Sequence, residues 1–235
     1  MSKTRKISYK VFLFKRVKKK IKFLKIETYP VHIRFTSGIK TLTIKSAFFT
    51  VLRKAKYQNE IVNFKKSITI KEIIRQEEKV IKYIVKNKKQ ILSPELVRHS
   101  YVFYSFNILD ELDERFKRFL INFFYQERLP AFSFFIQNDC INYTSEFILN
   151  TLEMSLKPDV YGKLLKAAFK KGPPYIPVIN FFHQEIKMTM PILPVYLWEM
   201  EKTKAALKEF IQKEYSQYKL YDLVSYISIM VGEML

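Results

Sequence analysis

Eleven Lys and Arg lie between Lys3 and Lys25, and the chemistry their type and spacing imply is the neutralisation of phosphate. They are Lys3, Arg5, Lys6, Lys10, Lys15, Arg16, Lys18, Lys19, Lys20, Lys22 and Lys25. Apolar residues recur between them at every second position, first Ile7, Tyr9, Val11 and Leu13, then Ile21 and Phe23. That is the period of a strand with one buried face. Phe12 and Phe14 fall on the opposite face, beside Lys10 and Arg16, where exposed aromatic rings are placed to stack on bases. The candidate nucleic-acid-binding set is therefore Lys10, Phe12, Phe14, Lys15, Arg16, Lys18, Lys19, Lys20, Lys22 and Lys25, with Arg34, Lys40, Arg53, Lys54 and Lys56 downstream.

Other chemistries find less support. His32, His99 and His183 are scattered and Cys140 is the single cysteine, so no zinc-ligand spacing exists. Four glycines (Gly38, Gly162, Gly172, Gly232) assemble neither a G-x-G-x-x-G turn nor a Walker loop. Cys140 sits in QNDCINY, which carries no nucleophile motif, and reads as a small core residue. The densest acids, Asp110, Glu111, Asp113 and Glu114, invite comparison with a Mg²⁺ cluster for phosphodiester cleavage. Their spacing, with Lys117 and Arg118 following, reads instead as the solvated first turns of a helix. The expectation is a non-enzymatic binder without metal or cofactor.

Charge divides the chain. Residues 1–90 carry 26 Lys and Arg against five acids, a net +21, whereas residues 91–235 carry 16 against 17, a net −1. One-ended excess marks a contact surface more than a solubility device. An anionic membrane surface is the main competitor, but the cations alternate with strand-period apolars instead of lying along an amphipathic helix. Lys outnumbers Arg by 33 to 9, which suits point-charge contact with phosphates over bidentate reading of guanine. Abundant Lys, Ile, Phe, Tyr and Asn with scarce Gly point to an AT-rich gene. A lone cysteine predicts a reducing, intracellular compartment, the mitochondrial matrix if the gene is organellar. No secretory signal and no membrane span are read.

These residues must be positioned by elements that the periodicity outlines. Strands are expected at Ile7 to Phe14, Lys20 to Thr28, Val31 to Thr36 and Ile39 to Lys45, the last two a hairpin turning at Ser37-Gly38. Ala47 to Tyr57 is expected as one helix bearing Arg53, Lys54 and Lys56 on its outer side. Thr69 and Glu72 have capping-box spacing before an apolar stripe that ends in Lys86, Lys88 and Lys89. Ser93-Pro94-Glu95 starts a second, helical part, with helices at 94–105, 108–127, 144–156, 159–171, 195–216 and 219–233. Leu129 to Gln137 reads as a buried strand and Gly172 to Pro177 as an extended connector. The fold class is α+β: a basic β-rich region with a helix over 1–90, then a near-neutral, mainly helical interaction domain over 91–235.

The leading expectation is an RNA-binding structural component of a ribonucleoprotein, such as a ribosomal protein of an organelle or AT-rich genome, whose helical part meets protein neighbours. The alternative is a DNA-binding accessory or regulatory protein of a virus or mobile element, or a virion protein facing the genome. The stretch YPVHIRFTSGIKTLTIKS resembles the arm-binding β-hairpin of tyrosine recombinases over less than a tenth of the chain. The catalytic Arg, His-x-x-Arg and Tyr set of that family is not recognisable downstream, so the resemblance implies no catalytic residue here.

Overall fold

The computed structural model describes residues 7–24, 26–63, 68–87, 93–186, 190–216 and 222–233. Five strands come first: β1 (Ser8–Leu13), β2 (Ile21–Phe23), β3 (Ile26–Thr28), β4 (Val31–Ser37) and β5 (Lys40–Lys45). β1, β4 and β5 form an antiparallel sheet in that order, with β5 at one edge, while β2 and β3 pair as a separate ribbon. The expected single strand over 20–28 is thus two, reversed at Leu24, whose φ of 53° is left-handed. Gln58 fixes that reversal by accepting from the Leu24 N–H at 3.0 Å. The β4–β5 turn is Gly38-Ile39, one residue beyond the expected position, because Gly38 supplies the positive φ of 62° that a two-residue hairpin turn requires.

Helices follow to the end: α1 (Ala47–Leu52), α2 (Ala55–Asn63), α3 (Ile70–Asn87), α4 (Pro94–Tyr104), α5 (Ile108–Gln126), α6 (Pro130–Asn138), α7 (Ser145–Ser155), α8 (Pro158–Lys171), α9 (Tyr175–Phe181, continued as a π-turn to Ile186), α10 (Val195–Trp198), α11 (Glu201–Glu214) and α12 (Leu223–Gly232). The architecture is α+β, a small N-terminal antiparallel sheet followed by a helical part. Two start signals act as expected: Thr69 and Glu72 form a reciprocal capping box, and Ser93 accepts from the Leu96 N–H at 3.2 Å. Among the described residues no helix is long and apolar enough to cross a membrane.

Four further local expectations change, and one is the helix expected over 195–216, which breaks at Glu199-Met200 into α10 and α11. The helix expected over 47–57 breaks at Arg53-Lys54 into α1 and α2. Leu129 to Gln137 is not a strand: Arg128, at φ 58°, reverses the chain, Pro130 opens α6, and Phe132 stacks back on Phe124 with centroids 5.2 Å apart. A short apolar run does not distinguish strand from helix by period alone. Past Pro173 and Pro174 the expected connector turns helical at Tyr175, and Pro177 falls in the first turn, where its missing N–H leaves no gap.

Two hydrophobic cores result. One gathers α5 to α12 around Phe116, Phe124, Trp198 and Leu207. The other lies under the sheet, where Val11, Val31, Ile33 and Phe35 meet Ile73, Val80 and Ile84 of α3 and Val97 and Tyr101 of α4, and it also takes in Met190, Ile192 and Tyr196. Its polar centre is Glu77, fully buried on α3. The Ser46 hydroxyl and the Phe48 N–H (3.0 Å) donate to its Oε1, and the Tyr101 hydroxyl donates to its Oε2 at 2.7 Å. Tyr101 in turn accepts from the Ala47 N–H (2.7 Å), and Ser46 from the Phe49 N–H (2.9 Å). The open N–H groups of α1 are thereby satisfied by its cap Ser46, by Glu77 of α3 and by Tyr101 of α4, which locks the strand-to-helix corner onto both helices.

Burial raises the Glu77 carboxyl to about 6, against the donors from Ser46, Tyr101 and Phe48 that lower it. Because the folded value exceeds the ordinary 4.5, the folded state holds more proton between those values. Stability is expected to fall by about 2 kcal/mol as pH climbs from about 4.5 to about 6, and Glu77→Gln to flatten that part of a denaturant-midpoint profile. Glu77→Ala, which orphans Ser46, Tyr101 and the Phe48 N–H, is expected to cost about 3 kcal/mol or more at pH 7 in the same titration.

Candidate nucleic-acid interface

Alternation along the three-stranded sheet separates its residues cleanly. Tyr9, Val11 and Leu13 of β1, Val31, Ile33 and Phe35 of β4, and Leu42 and Ile44 of β5 share one parity, and this is the face toward the core. The outer face carries three cross-strand rows: Ser8, Thr36 and Thr41; Lys10, Arg34 and Thr43; Phe12, His32 and Lys45. None of these nine positions is acidic. Lys10 and Lys45 are exposed, and Phe12 and Arg34 are half-buried.

Phe14 continues this face one step beyond β1, anchored by its N–H donating to the Pro30 carbonyl at 2.8 Å. Its ring lies 4.5 Å from that of His32 and 6.3 Å from that of Phe12. The Arg34 guanidinium carbon sits 5.0 Å from the Phe12 centroid, a cation–π arrangement. His32 is buried beneath these rings. Burial lowers its imidazole below the ordinary value, Lys45 adding and the Pro30 backbone opposing, so the histidine is neutral at pH 7. Strand alternation places His32 on the face of Arg34, but neither His32 nor Lys45 is in the expected binding set; the hairpin register, which puts both on that face, is the signal for them.

From Phe14 the chain enters the loop between β1 and β2, where Lys15, Arg16, Lys18, Lys19 and Lys20 are all exposed and no acid interrupts them. Lys22 is exposed on the ribbon, opposite Glu27. Lys40 is exposed at the start of β5. It helps hold the Glu95 carboxyl below its ordinary value, an effect led by the Glu95 backbone N–H and by Ser93. Arg53 is exposed in the turn between α1 and α2. Lys25 lies outside the described residues, as do Lys3, Arg5, Lys6, Lys88 and Lys89.

Lys54 and Lys56 are placed differently. Lys54 Nζ meets Asp110 Oδ2 at 2.6 Å. Lys56, expected on an outer helix face, is buried: the break before Ala55 turns α2 so that its Nζ contacts Asp110, Asp113 (3.0 Å) and Glu114 (3.1 Å) of α5. Desolvation alone would lower its ammonium, but Asp113 and Asp110 outweigh it and raise it above the ordinary lysine value. Asp110 and Asp113 are correspondingly not part of the solvated helix start that the spacing implied, whereas Glu114 is exposed as expected. Asp113 is 3% exposed, takes Lys117 at 3.3 Å as a second cation, and accepts from the Ser145 N–H at 2.6 Å, fixing the start of α7. No group of three or more His, Cys, Asp or Glu able to hold a metal ion occurs among the described residues.

Comparison of the chain with protein families, with curated proteins and with solved structures finds no match to any of them.

Removing the Lys56 ammonium leaves Asp113 short of a partner inside the fold. Lys56→Met is expected to lower stability by about 3 kcal/mol in chemical denaturation. Because this cation faces protein and not solvent, its loss removes no exposed charge from the basic surface.

Proposed function

We propose that this chain is a non-enzymatic nucleic-acid-binding protein that prefers RNA and serves as a structural component of a ribonucleoprotein, such as the ribosome of an organelle or of an AT-rich genome. The observation that carries this reading is the sheet's outer face, which gathers Lys10, Arg34, Lys45, Phe12 and Phe14 without one carboxylate and runs directly into the five exposed cations of the β1–β2 loop. A phosphate backbone supplies the counter-charge that this surface lacks. Lysine predominance supports backbone contact over base-edge readout. The near-neutral helical part, with Val102, Tyr125, Phe134, Ile141 and Met154 exposed, suits protein neighbours. The lone cysteine, buried, with its thiol raised by burial, fits a reducing intracellular setting.

Neutralising Lys18, Lys19 and Lys20 together is expected to flatten the dependence of log affinity on log salt by roughly two to three units, at about 0.9 per phosphate contact on B-DNA and about 0.7 on single strands. Titrations with structured RNA, single-stranded DNA and duplex DNA at several salt concentrations check this. Structured RNA is expected to compete best. Preference for duplex DNA would favour a DNA-binding accessory role, and an unchanged slope would remove these lysines from the interface.

A further inference from the structure

We infer that the outer sheet face is a stacking site for unpaired nucleotides, with Phe14 and the Arg34–Phe12 pair each receiving one base of a single strand; this rests on the nucleic-acid-binding reading above. The geometry of the rings selects the ligand. The Phe12 and Phe14 centroids are 6.3 Å apart and their planes are inclined by 60°. Successive bases of a duplex lie nearly parallel at about 3.4 Å, with both faces already covered by their neighbours. Bases that lie on Phe12 and Phe14 together must be pulled apart and tilted, which a single strand permits and a duplex does not.

Both rings pack against neighbours on the same face and stay half-buried. Phe14 packs on His32, which is 9% exposed, at 4.5 Å and 35°. Phe12 packs at 5.0 Å against the Arg34 guanidinium, itself a planar, cationic stacking surface. A neutral His32 beneath the aromatic rings adds no competing charge. Lys10 lies directly beside Arg34 in register, and Lys45 lies two strands from Phe12, about 10 Å at ordinary strand spacing, so cations flank the rings on both sides. The site thus pairs sequence-tolerant stacking with phosphate neutralisation, and it binds single-stranded RNA or DNA without reading base edges.

The full-length chain is titrated by fluorescence anisotropy with a labelled twelve-nucleotide oligo(U) and, separately, with a labelled twelve-base-pair RNA duplex. The double variant Phe12→Leu and Phe14→Leu keeps apolar volume over His32 and removes the aromatic faces. It is expected to bind oligo(U) at least about tenfold more weakly, with its duplex affinity changed less than about twofold and its salt slope on oligo(U) unaltered. Equal loss on both probes, or loss on neither, overturns the stacking site while the lysine-based reading stands. Failure of the parent chain to bind either probe overturns both. Should the double variant not retain the parent melting temperature, Arg34→Lys decides alone, because it keeps the charge and both rings. A loss of about fivefold on oligo(U) only supports the site, and an unchanged affinity overturns it.

Discussion

The ion pair between Lys56 and Asp113 is the buried charge contact through which α2 of the basic part is held to α5 of the helical part, beside the shared core under the sheet. Both groups are withdrawn from water, so the loss of either leaves the largely buried cluster of Lys56, Lys117, Asp110 and Asp113 with an unbalanced charge. Asp113 is in addition the anchor for Ser145 at the start of α7, and Asp110 accepts from the Tyr57 hydroxyl at 3.2 Å, itself bonded to Asn107 at 2.8 Å. Asn107 reaches on to the Leu193 N–H at 2.9 Å. The ion pair and the hydrogen-bonded chain from Asp110 through Tyr57 and Asn107 together tie α2, α5, α7 and the segment before α10 into a single arrangement. Lys54 and Lys117 bring the local balance of cations and carboxylates near zero.

This neutralisation sorts the cations of the basic part. Those that face α5 have carboxylates for partners and serve the fold. Those on the sheet's outer face and in the loop after Phe14 have none in their own segments, because β1, β4 and β5 carry no acid at the outward parity. Their mutual repulsion is tolerated because the other side of the sheet is closed over Ile33, Phe35 and Ile84, while Glu77 fixes the corner where the sheet gives way to helices. A surface that stays repulsive in isolation is the one with most to gain from a polyanion.

Much of this was legible in the chain itself. Strand alternation gave β1 and β4 and placed Phe12 and Phe14 opposite Val11, and Thr69 and Ser93 marked helix starts that the backbone uses. What could not be read was set by tertiary contact. No local signal distinguishes Lys56 from Lys54: both are lysines in a helix-forming stretch, and only the position of Asp113, more than fifty residues away, decides that one is interior. The same holds for Glu77, which looks like any acid on an amphipathic helix until Ser46 and Tyr101 are brought to it. The strand expected over Leu129 to Gln137 failed for a different reason, since Phe and Ile serve strand and helix alike and the deciding residue was the left-handed Arg128.

β5 is the edge of its sheet, and an unprotected edge invites a second copy to add its own strand. Here Lys40 and Lys45 stand at the two ends of that strand, both exposed, with small hydroxyl residues at Thr41 and Thr43 between them. Antiparallel pairing of two such edges would bring a lysine of each copy close to one of the other at both ends, on opposite faces of the sheet. The same charge that suits the sheet to a polyanion thus discourages its self-association, and this safeguard weakens as ionic strength rises.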